Sequence, residues 1–128
     1  MNKLIIDAAS EKIFLMIISN ASIYNITHEN TKINYEKLTI IINDFLSSKN
    51  IKITNISAIY INQGSGSFAG IRNSMSVVKA FNVAKNIDYY CYNLDDFKDE
   101  KDLSYENIPN LCKKYKIKKN LINPVYLS

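Results

Sequence analysis

The segment YINQGSGSFAGIRNSMSVVKAF, Tyr60 to Phe81, gathers all three glycines of the chain, Gly64, Gly66 and Gly70, into one connection between an apolar run and a helical pattern. Glycine admits backbone angles and close approaches that a Cβ forbids. Its concentration between a strand and a helix therefore means that this backbone turns sharply or lies against something. A phosphate and a second protein are the two candidates. The second is the expectation: Phe68 anchors the loop in an apolar pocket, and the small residues Ser74, Ser76 and Ala80 leave room for a neighbouring helix at short axis distance.

Working outward, "ISAIYIN" before the loop reads as a strand, and the helix after it is expected from about Ile71 to Lys85. Ile71, Met75 and Val78 lie along one line of that helix and Val77, Phe81 and Ala84 along an adjacent one, with Ala80 and Val83 on the far side. So apolar a helix is covered by the C-terminal segment or by another molecule. "IDYYCYN" is a further strand, and Asn93 is placed to cap a short acidic helix opened by Leu94.

Towards the N-terminus, "KLIIDA", "KIFLMIIS" and "SIYNIT" are three strands joined by the short polar turns "ASE" and "SNA", an antiparallel meander. Tyr35, Leu38, Ile41, Ile42, Phe45 and Leu46 then recur at helical spacing, with Asn34 as the expected N-cap and "SSKN" as the stop. The order β-β-β-α-β-α-β gives an α/β fold with a five-stranded mixed sheet of the ribonuclease H-like kind found in actin-like and sugar-kinase-like (ASKHA) domains. Beyond it, Pro109 in "NIPNLCKKYK", with Asn107 as cap and Ile108, Leu111, Cys112 and Tyr115 at helical spacing, predicts one amphipathic C-terminal helix. The expected division is a lobe over 1–102 and a helix and tail over 103–128.

A length of 128 residues suits one domain. No apolar run approaches the roughly 20 residues of a membrane span, and the first residues lack the basic start and small-residue cleavage site of a signal peptide, so a cytoplasmic setting is expected. Cys91 and Cys112 form no CxxC, which leaves them as reduced thiols. The single histidine, His28, is expected in a polar, solvated turn. The net charge is +4, with Lys113, Lys114, Lys116, Lys118 and Lys119 crowded after the acidic "LDDFKDEKD". A lysine run is first of all a solvated face, and second a patch for nucleic acid.

A nucleotide-binding reading would use Asp7, at a strand end, for a magnesium-bound water, and the N–H groups and hydroxyls of Gly64, Ser65, Gly66 and Ser67, with Arg72 nearby, for a phosphate. Each of these has a structural alternative: Asp7 capping a turn, Arg72 pairing with a carboxylate. The loop also lacks the Walker pattern, ending instead in Ile71 and Arg72.

The stretch "QGSGSFAGIRNSMSVVKAFNVAKNIDYYCYNLDDF" resembles the signature region of the TsaB (YeaZ) family, in which a G-P-G-S-F-T-G-[LIV]-R loop opens a small-residue helix followed by a strand and a short helix. "LIIDAAS" is similar to the family's opening I-D-T-S strand, and "INPVYLS" to its closing P-x-Y-L-R. The family's Pro is Ser65 here, its loop Thr is Ala69, the Thr after the strand-end aspartate is Ala8, and most of a second actin-like lobe is missing. The resemblance implies a non-catalytic scaffold for a TsaD-like enzyme that transfers threonylcarbamoyl to adenosine 37 of ANN-decoding tRNAs. It implies pairing through helices of the first lobe: Phe68, Gly70, Ile71, Ser74, Met75 and Val78, with Leu38 and Ile42 of the first helix. A TsaE-like ATPase as a further member, indirect contact with tRNA, self-pairing when the enzyme is absent, and ATP or ADP held only within the complex complete what it implies. One histidine cannot supply the H-x-x-x-H metal pair of TsaD.

Overall fold

The computed structural model describes residues 2–122 and, as backbone, 125–127. Three strands, β1 (Asn2–Asp7), β2 (Lys12–Ile18) and β3 (Ile23–Glu29), form the expected antiparallel meander, with Ile5 opposite Met16 and Leu15 opposite Ile26. Helices α1 (Lys32–Glu36) and α2 (Leu38–Ser48) follow, then β4 (Ile56–Asn62), β5 (Gly64–Ser67), α3 (Phe68–Lys85), β6 (Asp88–Tyr92), α4 (Ile108–Lys114) and β7 (Val125–Leu127). The main sheet runs β3-β2-β1-β4-β6, with β1, β4 and β6 parallel. Among the described residues no helix is long and apolar enough to cross a membrane.

Five local expectations are corrected. The first helix is two, separated at Lys37, whose backbone angles (φ −99°, ψ 11°) leave the helical region. Its N-cap is Thr31, not Asn34: the Thr31 hydroxyl accepts from the Asn34 N–H at 3.2 Å, and Asn34 lies inside the first turn. His28 belongs to β3 rather than to a turn, because the pairing with β2 continues to Glu29. The glycine connection is itself a strand: β5 pairs in parallel with β7 as a second, two-stranded sheet, and α3 starts at Phe68. Asn107 makes no side-chain capping bond at α4 and instead donates from Nδ2 to the Asp102 carbonyl at 3.0 Å. The tail motif "INPVYLS" falls partly on 123–124 and 128, outside the described residues.

Alternation along β1 and β4 sends side chains to two apolar layers. Leu4, Ile6, Ile59 and Ile61 meet α2 and α3 through Leu38, Ile42, Ile71, Met75 and Val78. Ile5, Met16, Ala58 and Tyr60 meet Phe97, Ile108, Leu111 and Cys112, so α4 packs on the second face of the same sheet. α4 turns Ile108, Leu111 and Cys112 of the expected stripe inward, while Tyr115 caps its end and stays exposed, and it keeps Pro109 in its first turn, where a missing N–H costs no helical bond. The β6 edge is covered by Asn120, which donates from its N–H to the Tyr89 carbonyl at 2.7 Å and accepts the Tyr89 N–H on Oδ1 at 2.9 Å.

Cys91 and Cys112 are free and buried, one in each layer. Burial pushes both thiols up to about 12, and burial, helped by the neighbouring Tyr90 and Cys112, pushes the Tyr60 phenol up to about 12. Folding thus favours the protonated forms. Their contribution is complete below the unfolded-state values and is lost as pH rises toward the folded ones. The urea midpoint is therefore expected to hold steady from pH 7 to about 8.5 and to fall above about pH 9, where unfolded thiols ionise first. In Cys91→Ala/Cys112→Ala the onset should move up by about one unit, to the tyrosines. A midpoint rising with alkalinity contradicts this account.

Candidate functional site

Parallel strands of an open α/β sheet present ligand sites beyond their carboxyl ends. Here those ends are Asp7, Asn62 and Tyr92. Asp7 is 3 % exposed, and three groups of the chain hold its carboxylate. The Ala9 N–H donates to Oδ1 at 3.0 Å, Asn62 Nδ2 to Oδ2 at 3.3 Å, and the Tyr105 hydroxyl to Oδ2 at 2.8 Å. The Tyr105 ring lies stacked on Phe14, centroids 4.0 Å apart. Burial raises the Tyr105 phenol above its ordinary value, and the charge of Asp7 and the bond donated to it raise it further. Tyr92, wholly buried, is held well above its ordinary value by burial and then by Asp7. Its hydroxyl has no partner among the described residues. Asn62 also ties the site to the loop, accepting the Gly64 N–H on Oδ1 at 2.9 Å.

The glycines answer to the chain itself. A Cβ on Gly66 would stand 2.3 Å from the Ala9 carbonyl oxygen, and one on Gly70 would stand 1.9 Å from that of Ala8. The loop lies directly on the turn after β1, and the Ser67 N–H donates to the Ala9 carbonyl at 3.0 Å. At Gly66 and Gly70 the backbone lies against the β1–β2 turn. Two of the candidate phosphate-binding groups, the Gly64 N–H and the Ser67 hydroxyl, have partners within the chain. Ser67 Oγ accepts the Gly70 N–H at 3.2 Å and lies 3.2 Å from the Tyr35 hydroxyl. Ser65 is exposed, and Arg72, also exposed, sits 5.9 Å from the Phe68 ring centre rather than beside Asp7.

The expected partner residues divide by burial. Leu38, Ile42, Gly70, Ile71, Ser74, Met75 and Val78 form the stripes by which α2 and α3 cover the first face of the sheet, and they present nothing outward. The reason is the sheet's own demand: the helices above Leu4, Ile6 and Ile59 must turn their apolar stripes to it. Ser74, fully buried, satisfies its hydroxyl on the Ile71 carbonyl at 3.0 Å. Phe68 alone of the expected set is open, at 50 % exposure. The outward side of α3 carries Arg72, Ser76, Lys79, Ala80 and Val83, the last 78 % exposed.

Among the described residues no three His, Cys, Asp or Glu side chains converge to hold a metal. Tyr105 and Asn62 were absent from the sequence reading. Asn62 was within reach of it, ending the strand that lies beside β1; Tyr105 was not, being 98 positions from Asp7.

No family model and no curated protein matches the chain. Solved structures do. YeaZ from Pseudomonas aeruginosa superposes with a TM-score of 0.66 at 17 % identity over 72 % of this chain, as does a second structure described as an uncharacterized protein with similarity to peptidase YEAZ. Thermus thermophilus RuvC in complex with a Holliday junction substrate gives a TM-score of 0.54 at 10 % identity, covering 77 % of this chain and 68 % of that one. The fold is ribonuclease H-like. The chain spans 43 % of the length of the YeaZ structures.

Three substitutions test this geometry by urea unfolding. Gly70→Ala should lose about 3 kcal/mol, because the Ala8 carbonyl must move, whereas exposed Ser65→Ala should stay within about 0.5 kcal/mol. Tyr105→Phe should lose about 1.5–3 kcal/mol, the range for a hydrogen bond to a charged group. A neutral Gly70→Ala or Tyr105→Phe refutes the corresponding contact.

Proposed function

We propose that this chain is a non-catalytic, TsaB-like partner of a TsaD-like enzyme in threonylcarbamoyl transfer to tRNA, built on an actin-like lobe. The observation that carries the reading is the bond from Tyr105 to Asp7. The carboxyl-end crevice, where this kind of sheet offers its ligand site, is filled by the chain's own C-terminal segment. A subunit so closed acts by its surface. The likeness to YeaZ and the G-S-G-S-F-A-G-I-R loop favour that family's role over strand cleavage of the RuvC kind, since metal-assisted hydrolysis calls for several converging carboxylates.

The contact surface, in this reading, is the outward side of α3 with Phe68 at its start. Ser76 and Ala80 keep that side low enough for a second helix to approach, and Val83 supplies apolar area. The same side would serve for self-pairing when the enzyme is absent; in the partner role a TsaE-like ATPase, ATP or ADP, and tRNA would be met through the complex.

Co-expression with the TsaD-like enzyme of the same cell is expected to give one complex on gel filtration at micromolar concentration. Ala80→Trp and Val83→Asp should weaken it at least about ten-fold, some 1.4 kcal/mol, with circular dichroism unchanged and threonylcarbamoyladenosine in tRNA reduced. Clean separation of the wild-type proteins would sink the partnership. Undiminished binding by both folded variants would move the surface off α3.

A further inference from the structure

We propose a second binding site on the opposite face of the sheet: the cleft between α4 and the strands β1, β4 and β6 takes a nucleotide-type ligand, a phosphate carried beside a planar base. The cleft has a volume of about 490 Å³, within the range of small-ligand sites. It opens beside the short helix α4: Pro109, Asn110, Cys112 and Lys113 of the helix form one wall, Lys3, Tyr60 and Tyr90 of the strands the other, and Tyr60 is also packed in one cluster with Ile108, Leu111 and Cys112. Lys113 and Lys116 line it from the helix side, and among the described residues no carboxylate lines it.

Part of the C-terminal charge is already paired, and Lys118, unpaired among the described residues, lies away from the cleft. Of the C-terminal lysines, Lys114 is paired with Glu100 and Lys119 with Asp88. Lys3, Lys113 and Lys116, the three that face the cleft, have no ion-pair partner among the described residues. Three ammonium groups around one concavity attract an anion, and lysine serves phosphate as a point charge. The floor supplies the second element. Tyr60 and Tyr90 are stacked with centroids 5.1 Å apart and planes 13° from parallel, Tyr60 nearly buried and Tyr90 the more open of the two. Such a stack continues onto a third flat ring without regard to base identity. The burial that pushes Tyr60 up to about 12 keeps its hydroxyl a neutral donor. An acidic peptide would use the lysines and waste the rings; a base with its phosphate uses both.

The site is independent of the partner role and is tested on the isolated full chain. Calorimetric titrations at low salt use AMP, inorganic phosphate, a single-stranded RNA hexamer and hexaglutamate. AMP is expected to saturate the chain, and Lys113→Gln/Lys116→Asn to weaken it about ten-fold; Asn is chosen at 116 because that backbone has φ 55°. Tyr90→Leu should weaken AMP about five-fold and leave inorganic phosphate unchanged, whereas Lys85→Gln on α3 should change nothing. For the hexamer, three lysine contacts predict that log affinity falls with log salt at a slope of about −2. A hexamer binding about a hundred-fold tighter than AMP identifies a nucleic-acid strand as the source of the nucleotide; comparable affinities identify a free one. The proposal is overturned if neither ligand binds at about 10 mM AMP or about 100 μM hexamer, if the folded lysine variant binds both as the wild type does, or if hexaglutamate binds more tightly than either.

Discussion

Two carbonyl oxygens set the architecture on the α2/α3 side of the sheet. Those of Ala8 and Ala9, in the turn leaving β1, stand where the Cβ atoms of Gly70 and Gly66 would otherwise be. That contact fixes the start of α3 against the end of β1. The Ser67 N–H adds a bond to the Ala9 carbonyl, and the Ser67 hydroxyl closes the first turn of α3 on the Gly70 N–H. From this fixed start the stripe Ile71, Met75 and Val78 comes down on Ile6 and Ile59, and α2 fills the space beside it with Leu38 and Ile42. A bulkier residue at either glycine would lift the helix off the sheet, so apolar burial along the helix depends on two missing methyl groups at its beginning.

The second face depends on a different kind of contact. Asp7 is a buried carboxylate, and a buried charge is tolerated only where hydrogen bonds replace water. Ala9 and Asn62 supply them from the sheet and its turn, and Tyr105 supplies the strongest from the far end of the chain. Tyr105 lies three positions before Ile108, where α4 begins, so the same bond that satisfies Asp7 places α4 over Ile5 and Met16. The segment after residue 102 is thereby part of the fold's polar accounting as well as its apolar cover.

How much of this was legible in the sequence follows from the range over which each signal acts. The meander, β4, β6 and the amphipathic faces of α2 and α4 were written in local periodicity, and the structure has them. The glycine cluster told correctly that the backbone lies against something, but not against what, because the Ala8 and Ala9 carbonyls are more than 50 positions away and carry no side-chain signature. The apolar wealth of α3 calls, on sequence, for cover by the C-terminal segment or by another molecule. Periodicity identifies a stripe without saying which body covers it, and here the sheet claims Ile71, Met75 and Val78 first. Tyr105 lay beyond local reading altogether, since one tyrosine among nine in the sequence has no pattern that marks it as a donor to Asp7.

The two faces consequently differ in what they leave for other molecules. On the first, α2 and α3 cover the central strands, and what remains outside includes a helix side of small and aliphatic residues, Ser76, Ala80 and Val83, suited to another helix. On the second, the short α4 leaves a cleft beside it. Its walls carry aromatic side chains, Tyr60 and Tyr90, and lysines with no ion-pair partner among the described residues. A sheet face left partly bare in a stable domain needs a lining that water tolerates, which stacked tyrosines with polar edges and lysine stems provide. That requirement of solubility alone assembles rings and positive charges in one concavity, so the shortness of α4 is the structural cause of both the cleft and its chemistry.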